Sequence, residues 1–205
     1  MSGDDELARA LIAAAGGDEA GFAILWRSLQ PALLRYLRVA VGDAAEDVAS
    51  ETWLQAARDL ERFDGDPAGF RAWLFRIARH RAIDNRRSAA RRPEEPTDSF
   101  AGQMPAARDA ASDALEQADT AWALRLVATL PRDQAETVML RVVAGLDVAS
   151  TARVLGKRPG AVRVATMRGL RKLAAMSAVQ ERSPQPDRSR GAIDPASGQA
   201  RPGEV

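Results

Sequence analysis

The fold is decided by residues 66–92, which read DPAGFRAWLFRIARHRAIDNRRSAARR. Asp66 before Pro67 predicts a helix start, because a carboxylate can accept free amide protons and proline fits the first turn. A helix from residue 67 to residue 91 would be about 37 Å long, enough to cross a duplex. Apolar residues recur along it at helical spacing and predict one buried stripe: Phe70, Trp73, Leu74, Ile77 and Ala78.

The rest of this stretch is strongly basic. Eight arginines lie between residues 71 and 92, against the single acid Asp84. Trp73 and Phe75 add flat apolar surfaces on which unpaired bases could stack. The same pattern also fits a solvated surface helix, so the context of the stretch has to decide between the two interpretations.

Composition limits the classes of protein that remain. The 205 residues include no cysteine and one histidine, which excludes disulfides, thiolate sites and a histidine-rich metal centre. The first residues are acidic and no apolar run reaches membrane-spanning length, so we expect a soluble cytoplasmic chain without membrane insertion. Phosphate-binding and dinucleotide glycine patterns are missing too. We therefore predict no enzyme, no catalytic residues, no cofactor and no metal site.

Charge is segregated along the chain although the net charge is only +1. Residues 43–66 hold eight acids and two arginines, whereas residues 71–92 hold eight arginines and one acid. Residues 94–119 are again acidic, and residues 148–180 hold seven basic residues and no acid. Alternating blocks indicate partners of both signs, and the basic blocks are candidates for binding nucleic acid.

Helical patterns dominate and strand signals are nearly absent, so the predicted class is all-α. We expect two small helical domains, at residues 5–92 and 113–178. Between them, residues 93–112 contain three prolines with acidic and small residues, which predicts a flexible linker that would let the halves stay apart. Residues 179–205 are polar and rich in proline, serine and glycine, which predicts a disordered tail.

An acidic ridge is predicted on the helix that precedes the arginine-rich stretch. Asp43, Asp47 and Glu51 are spaced by four residues and would stack on one face. Asp43 or a neighbour is expected to cap this helix. Like charges at that spacing cost a few tenths of a kcal/mol each. The ridge could be a solvated surface or a docking site for a basic partner, and the spacing alone supports both.

A helix-turn-helix is predicted near the end of the chain. Ala152, Gly156 and Val162 have its spacing: a small residue where helices cross, a glycine at the turn and a packed aliphatic residue. The second helix coincides with the last basic block, which favours a helix that reads DNA in the major groove over a plain helical hairpin.

Three runs together resemble a known family: GDAAEDVASETWLQAARDLERF, FRAWLFRIARHRAIDNRRSAARR and LPRDQAETVMLRVVAGL with STARVLGKRPGAVRVATMRGLRKL. They are similar to bacterial RNA polymerase sigma factors of the sigma-70 family, most of all to the extracytoplasmic-function (ECF) group, which carries only regions 2 and 4. The resemblance implies region 2 at residues 5–92 and region 4 at residues 113–178. It also implies transcription initiation at specific promoters, with core RNA polymerase, promoter DNA and an anti-sigma factor as partners.

The resemblance also implies roles for individual residues. The acidic ridge would dock on the clamp helices of the polymerase β′ subunit, and region 4 would contact the β flap. The minus-ten element would be bound and opened by Asp64, Gly65, Asp66, Arg76, Arg79, His80, Asp84, Arg86 and Arg87. The minus-thirty-five element would be read by Lys157, Arg158, Arg163, Val164, Met167, Arg168 and Arg171.

The chain departs from the family pattern at three places. Ser150-Thr151 replace a usual Glu-Ile, Ala161 to Ala165 lack the usual Thr-Val-Lys-Ser-Arg, and His80 replaces a common asparagine. The promoter sequence therefore does not carry over. A one-component helix-turn-helix regulator is the alternative function, but it would account only for the last seventy or so residues of the pattern.

Overall fold

A computed structural model describes the backbone of residues 3–91 and 112–182, with side chains for residues 4–91 and 119–176. Every regular element in those ranges is helical, so the predicted all-α class with two helical regions is confirmed. The predicted linker lies outside the described residues except for its last residue. The predicted tail also lies outside them beyond residue 182.

The first unit contains four helices, α1 (Gly3–Ala15), α2 (Glu19–Val41), α3 (Ala45–Asp59) and α4 (Pro67–Ala89). Helix α2 is central and packs against the other three. Its start is fixed by Asp18, whose carboxylate accepts hydrogen bonds from the amides of Ala20 and Gly21. Short 3₁₀ turns at Gly42–Ala44 and Leu60–Arg62 flank α3.

Two details of these helices stand out. Pro31 lies inside α2, where a proline commonly kinks or splits a helix, and the helix continues on both sides of it. Asp43 does not cap α3, because it sits in the 3₁₀ turn before that helix and the cap position, Ala44, makes no side-chain cap hydrogen bond.

The core of this unit is built from the apolar faces of its helices. Leu25, Leu33, Tyr36 and Leu37 of α2 pack with the buried face of α4. Phe75, predicted to offer a stacking surface to a base, is instead fully buried, and its ring meets Tyr36 edge-on at 5.6 Å. By contrast, Trp26 of α2 is 44% exposed.

The second unit consists of α5 (Ser112–Ala128), α6 (Arg132–Val138), α7 (Val148–Leu155) and α8 (Pro159–Arg182). A π-helical turn, Met139–Val143, continues α6. An extra residue in such a turn changes which side chains face inward. Val142 is accordingly exposed, while Met139 and Leu140 are fully buried.

The two units pack directly on each other. Helix α2 contacts α5, α6 and the π turn, and α4 contacts α7. Buried residues of both units form one contiguous apolar cluster that runs from Leu7 in α1 to Leu155 in α7. The sequence left the halves free to stay apart, whereas the structure shows them closed against each other.

Candidate nucleic-acid interface

The acidic ridge lies on the outer face of α3. Asp47 and Glu51 are exposed one helical turn apart, with Asp43 exposed in the turn before the helix. No hydrogen bond or ion pair joins these three carboxylates to any other side chain in the described ranges. Leu54 follows three residues after Glu51 on the same face and is 53% exposed. The ridge thus combines negative charge with an apolar side chain that the sequence prediction did not include.

The opposite face of α3 holds the ridge in position. Thr52 is fully buried and its hydroxyl donates to the carbonyl of Val48 at 2.7 Å. The Trp53 indole N–H donates to Gln30 Oε1 of α2 at 2.6 Å, and its ring meets Phe22 edge-on at 5.6 Å. Because these contacts fix the rotation of α3, the ridge is presented to solvent on a rigid support.

The loop from Asp64 to Asp66 joins the ridge helix to α4. Asp66 caps α4 as predicted, since its Oδ1 accepts the amide of Gly69 at 2.6 Å. Asp64 is exposed, and its carboxylate has no partner in the part of the chain that the structure describes. The neighbouring Gly65 lies against the Phe63 ring, and a Cβ at this position would come within 2.8 Å of Phe63 Cζ. A side chain there would force the ring or the loop to move.

An aromatic cluster supports this loop from below. The Phe63 ring lies 5.5 Å from that of Phe70 and 5.2 Å from that of Trp73, and Phe70 and Trp73 are 5.6 Å apart. Aromatic pairs at such separations stabilise beyond their buried area. Trp73 is therefore a partly buried support for the loop.

Helix α4 presents an exposed polar stripe. Arg76, His80, Asp84 and Arg87 recur at spacings of four and three, so they share one face, and all four are exposed. Asp84 and Arg87 are loosely paired at 3.9 Å, and both side chains are more than two-thirds exposed. Such a pair contributes little and leaves Arg87 free to meet a phosphate.

Other arginines of α4 are occupied within the chain. Arg79 Nε donates to Glu136 Oε1 at 2.8 Å, and Arg86 Nη1 donates to the carbonyl of Ala40 at 3.0 Å. Arg81 Nε donates to Gln55 Oε1 of α3 at 3.1 Å. Two residues expected to meet the minus-ten element, Arg79 and Arg86, are therefore engaged by protein groups in this conformation.

The predicted helix-turn-helix is formed by α7 and α8. Ala152 and Val162 are buried where the helices pack, and Gly156 ends α7 in the left-handed region with φ +65°. A side chain at Gly156 would be strained in that conformation. Asp147 caps α7 by accepting the amide of Ser150 at 2.6 Å, and this hydrogen bond holds the pKa of Asp147 below its ordinary value.

The recognition helix α8 turns most of the expected side chains outward. Arg163 and Met167 line one side of a shallow groove with Leu170 and Arg171. The exposed residues on this helix and the turn before it are Arg158, Arg163, Val164, Met167, Arg168 and Arg171. Lys157 differs, because its ammonium group pairs with Asp133 of α6 and its side chain is mostly covered. It anchors the start of α8 while the other basic residues remain available.

Comparison with known families agrees with this arrangement. The Sigma-70 region 2 family matches residues 25–92, and the Sigma-70, region 4 family matches residues 120–173. The ECF RNA polymerase sigma factor ShbA of Streptomyces griseus is 36% identical over 171 residues, which cover 78% of this chain and 90% of that protein. The chain belongs to the ECF group of the sigma-70 family.

Two further similarities place this ECF sigma factor among its relatives. The ECF RNA polymerase sigma factor BldN of Streptomyces coelicolor is 35% identical over 165 residues, covering 80% of this chain and 62% of that longer protein. The solved structure of CnrH in complex with the cytosolic domain of CnrY is 25% identical with a TM-score of 0.59. It covers 85% of this chain and 99% of CnrH.

Family membership establishes the general role. The ECF sigma factor is an alternative sigma factor that directs RNA polymerase to promoters for transcription initiation, with the polymerase and promoter DNA as its partners. A one-component regulator is not favoured, because region 2 accounts for the first unit. Within the described ranges, no helix has the length and apolarity needed to cross a bilayer, and no group of three acidic or histidine residues could hold a metal ion.

Sequence reasoning missed one surface residue of the ECF sigma factor, Leu54, and one contact between its two units, that of Tyr36 with Glu136. Leu54 could have been found from its spacing to Asp47 and Glu51 on the ridge. Glu136 and Tyr36 carry no such signal, because they meet across 100 residues of sequence. Their contact depends on how the two units pack.

Proposed function

We propose that the ECF sigma factor divides its work among three surfaces. The ridge of Asp43, Asp47 and Glu51 binds the β′ clamp helices of core RNA polymerase, and Leu54 adds an apolar contact. The loop from Asp64 to Asp66 and the exposed stripe of α4 bind and open the minus-ten element. The outward face of α8 reads the minus-thirty-five element, and region 4 also contacts the β flap.

The observation that best supports this division is the placement of opposite charges on one rigid unit. Asp47 and Glu51 of α3 have no ion-pair partner among the described residues, whereas Arg76 and Arg87 are exposed on α4, and the two helices pack directly together. A protein partner of positive potential and a nucleic acid can therefore bind adjacent surfaces at the same time. Complementary potential of this kind gives specificity and fast association.

Further parts of the proposal concern the whole chain. We assign region 2 to residues 5–92 and region 4 to residues 113–178, and we place the protein in the cytoplasm, without enzymatic activity of its own. CnrH was solved with the cytosolic domain of CnrY bound. This supports a regulatory protein partner here as well, for which we propose an anti-sigma factor.

The test is a charge reversal on the ridge, Asp47→Arg with Glu51→Arg. We expect an intact fold and at least tenfold weaker binding to core polymerase, because both exposed charges would then repel a basic surface. The matched control, Glu6→Arg with Asp119→Arg, reverses two exposed acids away from the ridge. Binding is measured by co-elution and by titration with labelled protein. Equal binding by the ridge variant and the control would show that the ridge assignment is wrong.

A further inference from the structure

One carboxylate of region 4 lies at the seam between the two units. Glu136 of α6 accepts a hydrogen bond from the Tyr36 hydroxyl at 3.2 Å and from Arg79 Nε at 2.8 Å, both on Oε1. The Glu136 side chain is 13% exposed and that of Arg79 is 21% exposed. Tyr36 is buried, and this burial together with the nearby Glu136 raises the pKa of its phenol, so the hydroxyl stays protonated and donates.

The surroundings of this contact show that it belongs to a larger closed interface. A small cavity beside it is lined by residues of both units, among them Arg86, Ala128, Arg132 and Met139. Helix α7 of the helix-turn-helix packs against α4. The side of α4 that carries Arg79 therefore faces region 4, while the stripe of Arg76 and His80 faces solvent.

Closure has a direct chemical consequence for Arg79. Glu136 neutralises the Arg79 guanidinium and occupies its Nε–H, one of its five N–H donors, at 2.8 Å, so the group attracts a phosphate less strongly while the pair is intact. Removing one partner of a largely buried ion pair is unfavourable, because it leaves the other charge buried and uncompensated. A phosphate can therefore engage the full charge of Arg79 only when Glu136 is displaced, and access to that side of α4 requires region 4 to move away from it.

We propose that Glu136 is an intramolecular latch, which holds region 4 over α4 in the free chain and competes with DNA for Arg79. The proposal rests on the function proposed above, since it treats α4 as a DNA-binding helix. The segment that covers this side of α4 is region 4 of the same chain. Binding of the minus-ten strand and release of the latch are then coupled, so each favours the other.

The conformational part is tested by energy transfer within the full chain. The absence of native cysteines allows two labels at Ala57→Cys and Ala123→Cys, which are exposed positions, one on α3 and one on α5. We expect efficient transfer in the parent chain and lower transfer after Glu136→Ala. Tyr36→Phe, which removes one hydrogen bond without changing the charge, should lower it less. The control, Asp119→Asn, removes an exposed acid of region 4 away from the latch and should leave transfer unchanged.

The competition part is tested with the same proteins and a labelled pool of random single-stranded 12-mer DNA. Loss of a hydrogen-bonded charge pair predicts roughly tenfold tighter binding by Glu136→Ala. Asp119→Asn, a removal of charge away from the latch, should change binding far less. Low transfer in the parent chain, or transfer and DNA binding that change equally in Glu136→Ala and Asp119→Asn, would overturn the proposal.

A failure of the proposed function would be visible separately. Core polymerase binding by the ridge variant is measured without DNA and does not involve Glu136. If the ridge variant binds core polymerase as tightly as the parent chain while Glu136→Ala lowers energy transfer, the docking assignment is contradicted and the latch is not. If the ridge variant binds core polymerase more weakly, as expected, but Glu136→Ala changes neither energy transfer nor DNA binding, only the latch is contradicted.

Discussion

Asp66 and Gly69 are joined by a 2.6 Å hydrogen bond from the Gly69 amide to the Asp66 carboxylate. The Asp66 carboxylate caps α4 and also fixes the end of the preceding loop. We propose that this loop receives a base. Asp64, two residues earlier, is exposed and has no partner in the described part of the chain. Within one short loop, one acid has a structural role and the other is free for recognition.

The loop prediction follows from this difference. Exchanging residues 64–69 for the loop of a related sigma factor, with Asp66 retained as the cap, should change the minus-ten preference and leave core polymerase binding unaltered. Extrusion of a base costs a few kcal/mol, which contacts to the base edge must offset. Permanganate footprinting of unpaired thymines on matched and mismatched promoters measures the preference. If opening is unchanged on every promoter, the loop does not read the base, and the face of α4 with His80, Asp84 and Arg87 becomes the candidate for that role.

A second prediction separates two classes of residues on α8. Arg163→Ala or Met167→Ala should alter the preferred minus-thirty-five sequence, because both side chains are exposed one turn apart toward the N-terminal end of α8, the end from which a helix-turn-helix contacts base edges. A well-formed arginine–base contact discriminates by about 1–3 kcal/mol. Arg168→Ala or Arg171→Ala should instead weaken binding to all sequences and reduce the salt slope by about one. The measurement is selection of bound DNA sequences with each variant. Identical sequence preferences for all four variants would show that Arg163 and Met167 do not read bases.

A third prediction concerns a buried hydroxyl. Thr151 is fully buried, and its Oγ1 has no hydrogen-bond partner in the described ranges. Thr151→Val should raise the free energy of unfolding by about 1 kcal/mol, because it removes an unsatisfied polar group with little change of shape. Thr137→Val is the matched control, since that hydroxyl is also in a buried residue but donates to the Asp133 carbonyl at 2.6 Å. Urea denaturation should show a gain for the first variant only; equal shifts would contradict this explanation.

The fourth prediction is a pH dependence at the start of α7. The hydrogen bond from Ser150 lowers the pKa of Asp147, so its cap contributes stability above the pKa of an unfolded aspartate, about 3.9. That contribution is lost as the pH falls through the lower pKa of the folded state. Asp147→Ala should therefore lower the thermal midpoint at pH 7, and the difference from the parent chain should shrink below about pH 4. Circular dichroism melts at several pH values provide the check, and a difference independent of pH would speak against the charged cap.

Local signals in the sequence predicted the elements well. Asp66 caps the helix expected to begin there, and Gly156 adopts the left-handed turn of the helix-turn-helix. Each of these features depends on a few neighbouring residues, so the sequence pattern contains the necessary information. The two families that match regions 2 and 4 agree with the resemblance carried by the three sequence runs.

The features that the sequence did not predict arise where a distant contact or a small shift of register decides the outcome. Val142 turns outward because the π turn changes the order of inward-facing residues. Phe75 is buried because it meets Tyr36 of another helix, a contact between elements that periodicity along one helix does not specify. The closed seam at Glu136 could not be predicted, because its ion pair joins residues 57 positions apart.

That separation has a consequence during synthesis of the protein. Arg79 leaves the ribosome well before Glu136 has been made, and translation adds about 5–20 residues per second. Roughly 57 residues then correspond to about 3–11 seconds in which the basic helix exists without its acidic partner. For that interval the Arg79 guanidinium lacks its carboxylate partner beside messenger RNA, and completion of region 4 is the event that covers it.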